Sequence, residues 1–178
     1  MTLANTTIGG KLPAFFAGAD KPNAGRVGVV IVQEWWGLNE WMKSITEKLA
    51  GLGVAAVCPD LYHGKVATSE DEASHLMSNL DWNHALGELQ SAVNWLRTAH
   101  AVEKTAVMGF CMGGALAIAA SAKLNNLDGG ICFYGIPPRE VALPKNIRCK
   151  MQLHFAGLDE CKGFSDSQVL AVLSPLGS

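Results

Sequence analysis

The fold of this chain is decided by the stretch TAVMGFCMGGAL, which occupies residues 105–116. Its apolar and partly β-branched beginning predicts a buried strand over residues 105–108. The small residues that follow predict a helix over residues 111–124. Cys111 therefore lies where a strand turns directly into a helix. A nucleophile between two glycines at such a turn is the G-x-nucleophile-x-G pattern of a nucleophile elbow, with cysteine in place of serine.

The residues around Cys111 suit acyl-transfer chemistry. Gly109 and Gly113, two positions before and after the cysteine, relieve contacts between a tight turn and the neighbouring backbone. The start of a helix favours a thiolate over a thiol, and the N–H of Met112 is positioned to bind a developing oxyanion. A glycine-rich turn with a buried, inert cysteine is the alternative interpretation. The strand before the turn and the helix after it favour the nucleophile.

The pattern of strands and helices outside the elbow predicts one α/β domain over residues 1–178. Strands are predicted at 7–8, 12–16, 27–32, 54–57, 105–108, 130–134 and 151–156, and helices at about 40–50, after Ser69, at 111–124 and at 168–173. A core-facing stripe is expected on the helix after Ser69, formed by Trp82, Leu86, Leu89, Val93 and Leu96. This alternation is typical of a three-layer α/β/α fold around a mostly parallel sheet.

Composition excludes several classes of protein. The chain has 178 residues, of which 49% are hydrophobic and 17% charged, and its net charge is −2. The slight acidity argues against nucleic-acid binding through phosphate neutralisation. We expect neither a membrane span nor a secretory signal, because no sufficiently long apolar run is present. The five cysteines show no CxxC or Cys/His metal spacing, which predicts reduced thiols, a cytoplasmic protein, and neither metal nor other cofactor.

A carboxylate follows the first predicted buried strand, in the turn Gln33-Glu34-Trp35-Trp36-Gly37. The carboxyl ends of parallel strands form the ligand crevice of α/β sheets, so Glu34 is a candidate site residue. An exposed glutamate in a loop is the alternative. The adjacent Trp35 and Trp36 favour an apolar mouth at this position.

These motifs together resemble the dienelactone hydrolase family of α/β-hydrolases. The matching pieces are Gln33-Glu34 with Gly37-Leu38-Asn39, Val57-Cys58-Pro59-Asp60-Leu61-Tyr62, Gly109-Phe110-Cys111-Met112-Gly113-Gly114, Phe133-Tyr134-Gly135 and His154-Phe155-Ala156-Gly157-Leu158-Asp159. Their order and spacing agree over nearly the whole chain. The cysteine elbow combined with the Gln-Glu turn separates this family from ordinary serine esterases.

The resemblance implies a role for each matching residue. Cys111 would be the nucleophile, Glu34 its local proton acceptor, and Asp159 the acid that orients a histidine. Trp35 and Met112 would donate the N–H groups of the oxyanion hole. The family opens cyclic enol-lactones through a thioester, a task that suits a thiolate because it is nucleophilic near neutral pH.

Four further residues are expected to bind the substrate, a small lactone or ester. Trp36 belongs to the apolar mouth, and Tyr134 to the Phe-Tyr-Gly motif. His63 lies near the point where the family carries an arginine that holds the substrate carboxylate. Lys65 is a second candidate for binding that anion, although loop lysines are more often simply solvated.

The sequence departs from the family pattern after Asp159. The family order is nucleophile, acid, histidine, but none of the five histidines (His63, His75, His84, His100 and His154) follows Asp159. We therefore expect a chain truncated relative to the family, without its final strand-histidine-helix unit, and with impaired turnover. His63 is the first candidate to replace the histidine, while His154 is expected to pack on the face of its strand.

Three functional classes stay open on the sequence alone. The first is a working lactone or ester hydrolase. The second is a non-catalytic, ligand-binding relative, and the third is a cysteine-elbow protein of the amidotransferase-like or thiol-stress type. The Asp60-Leu61-Tyr62 and Gly157-Leu158-Asp159 segments favour the dienelactone hydrolase family over the third class.

The strand predicted at 151–156 is expected to form an open sheet edge that is apolar on both faces. Such an edge makes self-association possible, because unpaired main-chain groups can pair with a second copy of the chain. We expect marginal stability, dimers or aggregation, measured by sedimentation and thermal melting. A monomer at high concentration that melts cooperatively above about 65 °C, the top of the usual mesophilic range, would contradict this prediction.

Overall fold

A seven-stranded sheet forms the centre of the chain in the computed structural model, which describes residues 1–18 and 26–159. Its strands are β1 (Thr2–Ile8), β2 (Leu12–Gly18), β3 (Val27–Val32), β4 (Ala55–Pro59), β5 (Lys104–Phe110), β6 (Gly129–Phe133) and β7 (Lys150–His154), in the spatial order β1-β2-β4-β3-β5-β6-β7. β2 pairs antiparallel with β1 and β4, and the other pairings are parallel. The mostly parallel sheet is thus confirmed.

Helices connect the parallel strands. Within the described ranges they are α1 (Glu40–Gly51), α2 (Glu70–Ser78), α3 (Trp82–Ala99) and α4 (Met112–Lys123), with a short 3₁₀ turn at Pro144–Asn146. In this part of the chain, no helix combines the length and the apolar character that crossing a membrane requires.

Side chains of the central strands alternate between two apolar layers. Val30 and Val32 of β3 belong to the larger cluster, which includes the buried side chains of α3 and α4. Val29 and Ile31 of the same strand belong to a second cluster with residues of α1. The sheet therefore lies between α1 on one face and α3 with α4 on the other. Burial of apolar surface from both sides holds the predicted three layers together.

The region after Ser69, predicted as one long helix, forms two helices. The Ser69 hydroxyl accepts a hydrogen bond from the backbone N–H of Glu72 (3.3 Å), as the sequence predicts, but the Glu72 carboxylate accepts from the backbone N–H of Thr68 (2.8 Å). Asp81 begins the second helix by capping N–H groups of its first turn. The predicted stripe of α3 is buried except at its first position, where Trp82 is half-buried. The helix predicted at 168–173 lies outside the described residues.

β7 is an edge of the sheet as far as the described residues extend. Met151 and Leu153 are half-buried, whereas Lys150, Gln152 and His154 are exposed. The expectation that this strand is apolar on both faces is therefore wrong, because polar side chains occupy one of them. Self-association through this edge stays a prediction.

Three aromatic rings stack across the carboxyl ends of the last strands. The ring centroids of Phe110 and Phe133 are 4.7 Å apart, and those of Phe133 and His154 are 4.6 Å apart, with interplanar angles of 12° and 11°. His154 thus packs on the face of its strand, as predicted. The stack aligns the ends of β5, β6 and β7, from which site residues follow.

The connections leave a crevice at the carboxyl ends of β3 and β5. From β3 the chain passes through α1 to β4 on one side, and then returns through α2 and α3 to β5 on the other side. A reversal of this kind separates the two crossovers and opens a ligand crevice above the sheet. Glu34 and Cys111 follow these two strands, so the topology brings them to the same crevice.

Candidate active site

Cys111 occupies a strained turn between β5 and α4. Its backbone angles are φ 57° and ψ −121°, a conformation that non-glycine residues rarely adopt. Backbone hydrogen bonds hold it there: its N–H donates to the Phe133 carbonyl and its carbonyl accepts from Ala115, both at 3.1 Å. The helix begins at Met112, one residue later than predicted. The turn is therefore the strained elbow that the sequence indicates, and its cysteine is half-buried.

Close backbone approach explains the glycines of the elbow. A Cβ atom on Gly109 would clash with the carbonyl of Gly113, and one on Gly113 would clash with the carbonyls of Val32 and Gln33. The first turn of α4 thus lies directly against the end of β3. This contact brings Cys111 to the strand that carries Glu34.

The predicted oxyanion-hole residues lie on these two neighbouring segments. Met112 is buried at the first position of α4. Backbone N–H groups in the first turn of a helix have no acceptor within the helix, so they can donate to another group. Trp35 comes one residue after Glu34 and packs against the same apolar cluster as Met112. The Met112 sulfur also accepts a hydrogen bond from the Tyr62 hydroxyl at 3.3 Å, which ties α4 to the segment after β4.

Glu34 and Tyr134 form a hydrogen-bonded pair in the crevice. The Tyr134 hydroxyl donates to Glu34 Oε1 at 3.2 Å. Burial is the largest cause that raises the pKa of Tyr134, and together with the negative charges of Glu34, Cys111 and Asp159 and the hydrogen bond to Glu34 it brings this pKa to about 12. Tyr134 therefore stays protonated as a donor at neutral pH. Since their charges act on Tyr134, the predicted site residues Glu34, Cys111 and Asp159 lie close to it.

Asp159 reaches the crevice from the turn after β7. Its N–H donates to the Ala156 carbonyl at 3.2 Å, and its side chain is half-buried. Its negative charge is close enough to contribute to the raised pKa of Tyr134. The predicted acid thus lies at the same sheet edge as the predicted nucleophile.

Two tryptophans line the approach to Glu34. The Trp35 and Trp36 ring centroids are 5.3 Å apart, and the rings meet at 70°. Both side chains are half-buried. The Trp36 carbonyl accepts from the N–H of Ala67 at 2.9 Å, which connects this turn to the loop after β4. The two rings contact each other directly after Glu34 in the chain, and the apolar mouth stays a prediction.

His63 and Lys65 line a neighbouring cleft, whose lining does not include Glu34 or Tyr134. This cleft has a volume of about 380 Å³ and lies between the segment after β4 and the start of α3. His63 Nε2 is 3.0 Å from Glu88 Oε1 of α3, and Lys65 is exposed. Tyr62 lines the cleft and also contacts Met112, so it joins the cleft to the elbow.

Left-handed backbone conformations recur after three successive parallel strands. His63 follows β4 with φ 51°, Cys111 follows β5 with φ 57°, and Tyr134 follows β6 with φ 47°. Each is a non-glycine residue for which such a conformation costs on the order of 1–3 kcal/mol. Strain of this kind clusters at functional sites, where the surrounding structure holds it in place.

Sequence reasoning missed two buried polar residues that support the site. Gln33 is fully buried and its Oε1 accepts from the N–H of Leu61 at 3.1 Å. Asp60 accepts from the N–H groups of Tyr62 (3.0 Å) and Gly64 (2.6 Å), which fixes the turn that carries His63. An aspartate followed by a glycine within one turn is a recognisable signal for such a loop.

The sequence model of the dienelactone hydrolase family matches residues 12–172. The chain belongs to the dienelactone hydrolase family. Among curated relatives, it is 32% identical over 148 residues to protein usf of Aquifex pyrophilus, a match that covers 78% of this chain and 64% of the relative. It is 34% identical over 118 residues to the carboxymethylenebutenolidase of Pseudomonas putida, covering 61% of this chain and 50% of that enzyme. The matches thus span half to two-thirds of these relatives.

Solved structures share the fold of this dienelactone hydrolase family member. A crystal structure of a dienelactone hydrolase-like promiscuous phosphotriesterase from metagenomic libraries superposes with a TM-score of 0.75 at 24% identity. The match covers 98% of this chain and 76% of that structure. The expected α/β-hydrolase-like architecture is therefore confirmed.

Substitution of Gly113 by alanine tests the backbone contact beneath Cys111. Since the new Cβ would overlap the carbonyl groups of Val32 and Gln33 at the end of β3, we expect Gly113→Ala to destabilise the fold by about 1–3 kcal/mol or more, measured by urea unfolding. Gly87→Ala is the matched control, because Gly87 lies exposed in α3 with nothing within 4 Å of its would-be Cβ. The control should stabilise by about 0.5–1 kcal/mol. Equal stability of the two variants would contradict the close packing.

Limited alkylation with iodoacetamide should modify Cys111 before the other cysteines of the described residues. Burial raises the pKa of Cys58, with Asp60 adding to the effect, and burial alone raises the pKa of Cys132 to about 12. Both thiols therefore stay protonated and inaccessible at pH 8. Peptide mass spectrometry would report the order of labelling, with half-buried Cys149 as the reference. Earlier modification of Cys58 or Cys149 would disprove a reactive Cys111.

Proposed function

We propose that this protein is a hydrolase that opens lactones or cleaves small esters through a thioester on Cys111. One observation carries the proposal. The family's nucleophile position holds a cysteine in a strained turn at the start of α4, in the crevice that also contains the Glu34–Tyr134 pair. This combination supplies a nucleophile, a proton acceptor and N–H donors within one small volume.

Acylation would begin with transfer of the Cys111 thiol proton to Glu34. The sulfur attacks the carbonyl carbon, and the carbonyl electron pair moves to oxygen, where the N–H groups of Met112 and Trp35 stabilise the oxyanion. Collapse of this intermediate breaks the bond to the ester oxygen. The leaving oxygen takes the proton from Glu34, and Tyr134 holds that carboxyl in position. In a lactone the leaving oxygen stays tethered to the acyl group.

Deacylation would need a base that activates water against the thioester. The family resemblance gives this task to a histidine oriented by Asp159, but no histidine follows Asp159 in this sequence. His63 lies against Glu88 in the neighbouring cleft. We propose that acylation by these 178 residues is faster than deacylation, because the histidine that the family places after Asp159 is not among them. Loss of one triad member commonly lowers the rate by about 10⁴-fold.

The substrate class follows from the lining of the crevice and the cleft. Trp35 and Trp36 offer an apolar wall for a small ring. Lys65 offers a cationic group for an anion, and His63 lies beside it in the lining of the cleft. One relative's name, carboxymethylenebutenolidase, describes a lactone that carries a carboxyl group. We propose that the substrate is a small lactone or ester with a carboxylate. We also propose a reducing compartment such as the cytoplasm, because the four cysteines in the described residues are free thiols.

A burst experiment with p-nitrophenyl acetate tests this function. We expect close to one p-nitrophenolate per chain to be released rapidly, followed by slow turnover, and intact-mass analysis should show one acetyl group on Cys111. The variant Cys111→Ala should lose both the burst and the adduct, whereas Cys149→Ala, the matched control, should keep them. Absence of an adduct on the wild-type chain would favour the non-catalytic, ligand-binding alternative.

Two further outcomes would change the proposal. Steady-state turnover as fast as the burst would mean that another group replaces the histidine, and His63→Ala would then identify or exclude His63. Oxidation of Cys111 by peroxide without acylation by the ester would favour the thiol-stress class instead.

A further inference from the structure

Three metal-ligating side chains meet in the cleft beside the candidate active site. His63 from the segment after β4 lies with His84 and Glu88 of α3, and their potential ligand atoms are all within 4.8 Å of one another. We propose that these residues form a binding site for a divalent transition-metal ion of the Zn²⁺ class. The inference rests on this cluster and is independent of the proposed reaction at Cys111.

The distances within the cluster already fit shared coordination. His63 Nε2 and His84 Nε2 are 3.0 and 3.3 Å from the same oxygen, Glu88 Oε1. Ligand atoms at about 2.0–2.2 Å from a tetrahedral zinc ion are separated by about 3.3–3.6 Å. An ion could therefore enter between the three groups with small side-chain movements. The centroids of the two imidazole rings are 6.2 Å apart, and the rings are tilted by 39° to each other.

Two rigid features hold the three ligands. His84 and Glu88 are one helical turn apart on α3, so both side chains lie on the same helix face. His63 is delivered by the turn that Asp60 fixes through hydrogen bonds to the backbone. The left-handed backbone of His63 is thus maintained by a buried carboxylate rather than by the cluster itself.

Charge and burial at Glu88 favour a cation. The Glu88 side chain is only 11% exposed, while the His63 and His84 side chains are 49% and 67% exposed. A divalent ion would neutralise the carboxylate while the histidines stay uncharged, as coordination requires.

The ligand set and the cleft select the kind of ion. Two imidazoles and one carboxylate suit zinc, nickel, copper or cobalt better than magnesium or calcium, which prefer oxygen ligands. The remaining coordination positions would face the cleft of about 380 Å³, where water or an anion can bind. Such an ion would also keep positive charge in the part of the cleft where we propose substrate anions bind.

Equilibrium dialysis of the reduced, full-length chain against ZnCl₂ tests the site. We expect one tightly bound Zn²⁺ per chain, and we expect His84→Ala and Glu88→Gln each to weaken binding by about tenfold or more. His75→Ala is the matched control, because His75 is also an exposed helical histidine but lies outside the cluster. Thermal melts without metal should show that all variants are folded, since His84 is mostly exposed.

Cobalt provides a second readout that separates this cluster from the cysteines. The absorption spectrum of the Co²⁺ complex should show imidazole and carboxylate ligation without thiolate charge-transfer bands, and it should be unchanged in Cys111→Ser. Zinc affinity that is unaltered in His84→Ala and Glu88→Gln would overturn the proposal. So would a thiolate spectrum that disappears in Cys111→Ser, or the absence of measurable binding by the wild-type chain. In these cases the cluster would be only a hydrogen-bonded ion pair.

Discussion

The architecture depends on the close packing of backbone against backbone at the first turn of α4. Gly113 lies against the end of β3, and Gly114 lies against the carbonyls of Phe133 and Tyr134 after β6. Cβ atoms at these positions would push the helix away from the sheet. The lack of side chains at Gly113 and Gly114 therefore allows α4 to lie close to the ends of β3 and β6. Cys111, which precedes this turn, takes its position from that contact.

The electrostatic character of the crevice follows from the same geometry. The ends of β3, β5, β6 and β7 are adjacent in the sheet, so the groups that follow these strands share one partly buried volume. Glu34, Asp159 and Cys111 all carry or develop negative charge there, and Tyr134 is the hydroxyl donor among them. The hydroxyl and the helix N-terminus offset that charge. The site is thus arranged to hold anionic groups that the surrounding apolar residues would otherwise disfavour.

The parts of the molecule that the sequence predicted correctly have local signals. The elbow, the α3 stripe and the cap at Ser69 each depend on residues within one or two turns of each other. The hydrogen bond between Tyr134 and Glu34 joins residues that are 100 positions apart, so no local pattern contains it. The cluster at Glu88 was missed for a related reason: the spacing of His84 and Glu88 is local, but the approach of His63 depends on how β4 packs beside α3. The alternation of β7 differs from the prediction because Gln152 and His154 lie on the face opposite Met151 and Leu153.

The left-handed backbone conformations after β4, β5 and β6 lower the stability of the fold at residues that the proposed chemistry uses. At these positions glycine would relieve strain, yet His63, Cys111 and Tyr134 carry the imidazole, thiol and hydroxyl that the crevice and cleft contain. Selection for a more stable fold and selection for the proposed chemistry therefore act in opposite directions on these three residues. In a lineage that no longer needed the chemistry, these three positions should be among the first to drift toward glycine or asparagine.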